Sequence, residues 1–260
     1  MSPRNAGTRS HRWIRYAFLI WAVVSTCWLL NTFRTRDVPP RLLTSDAGVT
    51  VVSSSESLAW IPRAPKRSAL LFIVGAGVSA EAYAPLLRPI ADLGYTTFVV
   101  RLPLRIAPLE SNKLTALRRA REIIASHPAI SRWVVAGHSQ GGALASRLAA
   151  EPPAGVTHVV LVGTSHPKRF DLSHSNLRFT KVYATSDGVA TPEMIDSTRN
   201  LLPPSTRWVR IEGGNHSQFG NYGHQLFDGK PSISRAQQQA IVRNALLDAL
   251  ADEGAAGGKS

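Results

Sequence analysis

RWVVAGHSQGGA, residues 132–143, decides how the chain is read. Arg132 to Ala136 is a short apolar, partly β-branched run, as in a strand. Gly141 to Ala150 is a run of small and apolar residues and reads as a helix, closed by Pro152-Pro153. Between them stands Gly137-His138-Ser139-Gln140-Gly141, the pattern G-x-S-x-G. A strand turning directly into a helix holds the central serine in a strained conformation and lifts its hydroxyl above the sheet. The flanking glycines let strand and helix approach, and Gly142 and Ala143 extend the small-residue contact. The pattern alone is short enough to arise by chance, and an ordinary turn is the alternative. Its place between a strand and a helix gives it weight.

Outward from this stretch the chain alternates. Strands are expected at Gly48–Ser54, Ala69–Val74, Tyr95–Leu102, Thr157–Val162, Phe179–Ala184 and Arg207–Ile211. Helices are expected at Ala80–Leu93, Leu114–Ala125, Pro192–Leu202 and Ser234–Leu250. Pro62 and Pro65 are read as breaks. The alternation implies an α/β fold, a mostly parallel sheet with helices on both faces. Ligands in such sheets bind beyond the carboxyl ends of the strands.

A serine hydroxyl needs a base, and the base needs an orienting acid. In elbows of this kind the order along the chain is serine, acid, histidine. Asp187 follows the strand Phe179–Ala184, and His216 follows Arg207–Ile211. Both occupy the expected order and strand ends. Asp171 and Asp196 are rival acids that fit less well, His224 is the rival base, and Asp187-Gly188 is also a common turn dipeptide. His138 is expected to point away from the catalytic face. The oxyanion needs two backbone donors. Gln140 should supply one, and Ala76 or Gly77, in Val74-Gly75-Ala76-Gly77-Val78, the other. That loop lacks both G-x-G-x-x-G and a phosphate-loop lysine, so no cofactor is expected. No metal is expected, because H-E-x-x-H is absent and the histidines lack ligand spacing.

The chain has 260 residues and a formal net charge of +13, with a single cysteine, Cys27. An internal disulfide framework is excluded, and the 44% hydrophobic content excludes long disorder. Seven arginines lie within residues 1–41 against one acid, Asp37. The rest shows no Lys/Arg-rich run, so a nucleic-acid partner is not expected. Tyr16 to Leu30 carries no charge, and extension to Trp13 and Phe33 gives about 31 Å of helix, enough to span a bilayer. A single transmembrane anchor over 13–33 is the expectation, after a basic tail over 1–12. A cleaved signal peptide, or a lipoprotein signal ending at Cys27, remains open. Arginines flank both sides, and their count weakly favours a catalytic domain on the extracytoplasmic side. A linker over 34–48 follows, then a catalytic domain over 49–250 and a polar, glycine-rich tail over 251–260.

At these residues the chain resembles the α/β-hydrolase superfamily. More narrowly, it resembles the small bacterial branch called α/β-hydrolase family 5, akin to dienelactone-hydrolase-like enzymes. VGAGVSAEAYAPLL (74–87), GHSQGG (137–142) and EGGNHSQFGNYGHQLFDG (212–229) carry the likeness. The family commonly has a proline before the first glycine and a lysine further on, where this chain has Val74 and Gly77. The resemblance implies a serine hydrolase and gives no substrate. Sixteen residues, Gly163 to Arg178, are too few for the cap often inserted there, so an open site is expected, with Phe219, Tyr222 and Phe227 as candidates to border it or to pack its loop. The expected chemistry is cleavage of a small or exposed ester by Ser139, His216 and Asp187. A non-catalytic binding protein and an acyltransferase are the alternatives. Oligomeric state is not legible.

Overall fold

The structure, a computed structural model, describes residues 6–251. The first five residues of the expected basic tail, and the expected tail from 252 onward, lie outside the described residues. Eight strands form one sheet: β1 (Val49–Ser53), β2 (Ser57–Pro62), β3 (Ser68–Ile73), β4 (Thr96–Val100), β5 (Arg132–His138), β6 (Val156–Val162), β7 (Arg178–Ala184) and β8 (Arg207–Ile211). Their spatial order is β1-β2-β4-β3-β5-β6-β7-β8. From β4 to β8 every pairing is parallel, while β1–β2 and β2–β4 are antiparallel.

The helices are α1 (Ala6–Thr32), α2 (Ala84–Asp92), α3 (Glu110–Ala125), α4 (Gln140–Ala150), α5 (Pro192–Asp196) and α6 (Arg235–Ala251). α2 packs with α6, and α3 packs with α4; between them these helices cover the strands of the sheet. That explains the continuous apolar runs of the inner strands: β4 is buried at every position, and β3 at all but Ser68. Trp60, Phe72 and Trp133 are wholly buried or nearly so. Each such side chain contributes roughly 1.5–3 kcal/mol of burial.

Two sequence expectations change in detail. The stretch read as broken by Pro62 contains β2, whose last residue is Pro62, paired with Val49. The pairing with β4 ends at Trp60, so Pro62 is paired on one side only, the edge-like setting in which a missing N–H is tolerated. The helix expected over Pro192–Leu202 stops at Asp196 and gives way to a short 3-10 turn. Gly163 to Leu177 carries no helix or strand, so no cap is inserted between β6 and β7.

The expected membrane-crossing segment lies in α1. Among the described residues, no helix is long and apolar enough to cross a membrane. The transmembrane anchor is therefore corrected to a 27-residue helix whose apolar side chains are exposed, Trp13 at 73% and Trp21 at 63%. The chain after it is not free. Trp60 Nε1–H donates to the Leu42 carbonyl at 2.8 Å, and buried Arg88 reaches Asp46 and the Thr44 carbonyl.

Candidate active site

β5 ends at His138, and α4 begins two residues later at Gln140. Ser139 alone makes the turn, with φ 53° and ψ −118°. A non-glycine residue held there costs of order 1–3 kcal/mol and persists only where the surroundings enforce it. They do so here. The Ser139 N–H donates to the Val162 carbonyl at 3.0 Å, and its carbonyl accepts from Ala143 at 3.1 Å. A Cβ on Gly137 would lie 2.2 Å from the Gly141 carbonyl oxygen, and one on Gly141 would lie 2.0 Å from that of Ile73. Only glycine permits this approach of strand and helix.

β7 and β8 end side by side, with Ala184 paired to Ile211. Asp187 and His216 follow them and meet: His216 Nδ1 lies 2.9 Å from Asp187 Oδ2. Both residues are buried. Asp187 Oδ1 accepts from the N–H of Val189 (2.8 Å) and of Ala190 (2.7 Å). The carboxylate therefore faces three donors, the pattern an acceptor-only ionised group requires. With its Nδ1–H donating to Asp187, His216 leaves Nε2 as the nitrogen with a free lone pair. The half-buried Ser139 hydroxyl has no hydrogen-bond partner among the described residues. In ligand-free sites such contacts are often long and tighten with substrate.

The rival residues fall elsewhere. Asp171 is exposed and caps Ser173, and exposed Asp196 pairs with Arg199. His224 is exposed, its Nε2 3.1 Å from the Asp228 carbonyl. Among the described residues no group of His, Cys, Asp and Glu could hold a metal.

Of the expected oxyanion donors, Gln140 opens α4, where an N–H has no intrahelical acceptor. Gly77 is corrected: its N–H already donates to the Arg105 carbonyl at 2.8 Å. The neighbouring Ala76 N–H has no acceptor among the described residues. His138 is corrected too. Instead of turning from the site, its buried ring packs 4.7 Å, centroid to centroid, from that of His216. Phe219 and Tyr222 are buried within the histidine loop, while Phe227 is 83% exposed.

Two supports escaped sequence reasoning. Asp228 gathers five donors: the N–H groups of His216, Ser217, Gly188 and Gly229, and the Ser217 hydroxyl. Gln238 of α6 brackets Asn215, accepting from its N–H at 2.9 Å and donating to its carbonyl at 2.7 Å. An acid twelve residues past His216 was visible in the sequence, but nothing there separated a loop-organising carboxylate from a surface one.

An eight-stranded, mostly parallel sheet with a serine elbow after its central strand and an acid–histidine pair beyond two later strands defines a hydrolase class of fold. A model of the alpha/beta hydrolase family matches residues 69–240, and the chain belongs to that family. Solved structures agree on the fold. The chain is similar to a dienelactone hydrolase from Anabaena variabilis at 20% identity and a TM-score of 0.56, covering 76% of this chain and 95% of that one. It is similar to a putative dienelactone hydrolase from Klebsiella pneumoniae at 14% identity and a TM-score of 0.55, covering 80% and 98%. A putative alpha/beta hydrolase from Agrobacterium tumefaciens gives 14% identity, a TM-score of 0.58, and coverage of 79% and 97%. None of the curated proteins matches the sequence.

Proposed function

We propose that the protein hydrolyses a carboxylic ester, or a similar acyl compound, through an acyl-enzyme on Ser139. His216 Nε2 takes the hydroxyl proton as Ser139 Oγ attacks the acyl carbonyl. Asp187 keeps the imidazole in the required tautomer and stabilises its cation. The N–H groups of Gln140 and Ala76 stabilise the oxyanion; one such donor is typically worth about 10²–10³ in rate. The imidazolium then gives its proton to the leaving alkoxide. Water, activated by His216, releases the acid and restores Ser139. Protonation of His216 beforehand stops the first step, so activity falls on the acid side.

The observation that carries this reading is the buried 2.9 Å contact between His216 Nδ1 and Asp187 beyond a sharply turned Ser139. Intact mass after a fluorophosphonate probe tests it. Wild type should gain one adduct, and Ser139→Ala none. Folded wild type without adduct would overturn the triad and favour a non-catalytic binding protein. An added alcohol acceptor that yields a new ester would redirect the reading to acyl transfer. The uncapped site supports a small ester or an exposed group on a larger molecule.

The exposed apolar side chains of α1 support a second proposal, that this helix seats on a lipid surface. The full chain should float with anionic vesicles, and Phe18→Asp with Trp21→Asp should abolish flotation. Flotation unchanged by the pair would sink the idea.

A further inference from the structure

The residues after α1 return over the catalytic end of the sheet. Thr32 is buried, and its carbonyl accepts from the Gly223 N–H at 2.8 Å. The Arg36 N–H donates to the Asn221 carbonyl at 2.8 Å, and the Asn221 side-chain amide donates to the Asp37 carbonyl at 3.3 Å. Those contacts fix one side of the segment to the loop that carries His216. The other side meets the loop after β3. The hydroxyls of Thr35 and Ser79 lie 2.6 Å apart, and the Arg105 guanidinium donates to the carbonyls of both Phe33 (3.3 Å) and Gly77 (3.0 Å).

Phe33 fills the space between the two loops. Its ring lies so close over Gly77 that a Cβ there would come within 2.8 Å of it. The same ring stacks on Tyr222, with centroids 6.1 Å apart and planes at 25°. The Tyr222 hydroxyl in turn donates to the His216 carbonyl at 3.3 Å. In the sheet, β3 and β8 are separated by β5, β6 and β7. Their strand pairing does not set the distance between the loops that follow them. A backbone bond between them helps to set it, from the Asn221 N–H to the Ala82 carbonyl at 2.7 Å. Phe33 and its flanking residues add a further bridge.

We propose that Phe33 is a positioning residue for the reaction: wedged between Gly77 and Tyr222, it holds the oxyanion loop and the histidine loop at their working separation. This rests on the serine-hydrolase reading above. Oxyanion stabilisation depends on donors preset to within a fraction of an ångström, and small misplacements cost rate more than binding. The Ala76 N–H is adjacent to the wedge, so a shift of Gly77 moves it directly. The same residues close α1, so the base of that helix belongs to the catalytic rim.

The test compares full-length wild type, Phe33→Ala and Phe33→Leu. It measures the rate of fluorophosphonate labelling, kcat and KM for a p-nitrophenyl short-chain ester, and the thermal midpoint. Phe33→Ala should label and turn over 10- to 100-fold more slowly per folded molecule, with KM within about threefold of wild type. Phe33→Leu, which refills much of the wedge, should recover most of the rate. Wild-type labelling and kcat in folded Phe33→Ala would overturn the proposal. So would a loss wholly accounted for by the unfolded fraction. A wild type that neither labels nor turns over ester would overturn the hydrolase reading, and the role of Phe33 with it.

Discussion

The imidazoles of His138 and His216 pack with centroids 4.7 Å apart, and the Tyr83 hydroxyl is 2.9 Å from Nδ1 of His138. Tyr83 also accepts from the Gly75 N–H at 3.0 Å, so one hydroxyl meets both the loop after β3 and the imidazole. His138 Nε2 is buried without a partner among the described residues. Burial first, and the nearby His216 second, hold His138 well below the ordinary histidine range. It therefore stays neutral beside His216 and, on the proposed mechanism, does not compete for the proton that His216 takes. One phenol thus joins the loop after β3, at Gly75, to the residue before Ser139.

Removing that phenol should cost stability and rate together. Tyr83→Phe keeps the ring that packs on Phe72, 4.9 Å away, but orphans the Gly75 N–H and His138 Nδ1. An orphaned buried group costs about 1–3 kcal/mol. The thermal midpoint should fall by roughly 2–4 °C for each kcal/mol lost. Among molecules still folded, kcat should drop by about 10-fold, as the loop and elbow lose their tie. Melting curves and single-turnover rates check both. Wild-type values in either would contradict the link.

Asp228 should matter nearly as much as the residues that touch substrate. Asp228→Ala strips an acceptor from four backbone N–H groups, that of His216 included. Asp228→Asn keeps one oxygen acceptor and turns the other position into a donor facing donors. Both variants should slow fluorophosphonate labelling by about 100-fold, the scale expected from an ångström of misplacement in the base. A surface role would leave the labelling rate untouched.

The sheet was legible because β3, β5 and β6 are buried on both faces and read as plain apolar runs. The sharp turn at Ser139 and the contact between Asp187 and His216 were legible because the three residues follow strands in the order such an elbow takes. β2 was hidden, since it is antiparallel, near the sheet edge, and ends on Pro62. The role of Gly77 was hidden for another reason: a free N–H cannot be told in sequence from one given to Arg105, 28 residues on. The seating of Phe33 was equally invisible. Its ring lies at the end of an apolar run, and only tertiary folding brings Gly77 and Tyr222 to it.

Acid should destabilise the fold through buried His138 and half-buried His166. His166 is pushed down to about 4, first by burial and then by Lys168, Lys181 and Arg169. His138 moves the same way. An unfolded histidine titrates near 6.5. Between about 6.5 and about 4 the unfolded chain binds protons that the folded one refuses, so stability falls as pH drops through that window. Urea midpoints from pH 7 to pH 4 should decline, and more gently in His166→Gln. Parallel slopes for the two proteins would remove His166 from the account.

Lys181 sets the opposite end of the pH range. It is wholly buried in β7, where its ammonium donates to the His166 carbonyl, and no carboxylate pairs with it among the described residues. Burial, then repulsion from Lys168, pushes it down to about 7. An unfolded lysine titrates near 10.4. Across the interval between about 7 and about 10.4, the unfolded state holds a proton that the folded state has released, so stability rises with pH. Below that interval the cost of the buried charge is present in full. Lys181→Met keeps a long side chain and removes the titration. At pH 7 the variant should melt several degrees above wild type, at roughly 2–4 °C per kcal/mol. The gap should close as wild type gains stability towards pH 10. A variant that melts below wild type at pH 7, or a gap independent of pH, would show instead that the bond to the His166 carbonyl outweighs the cost of burying the amine.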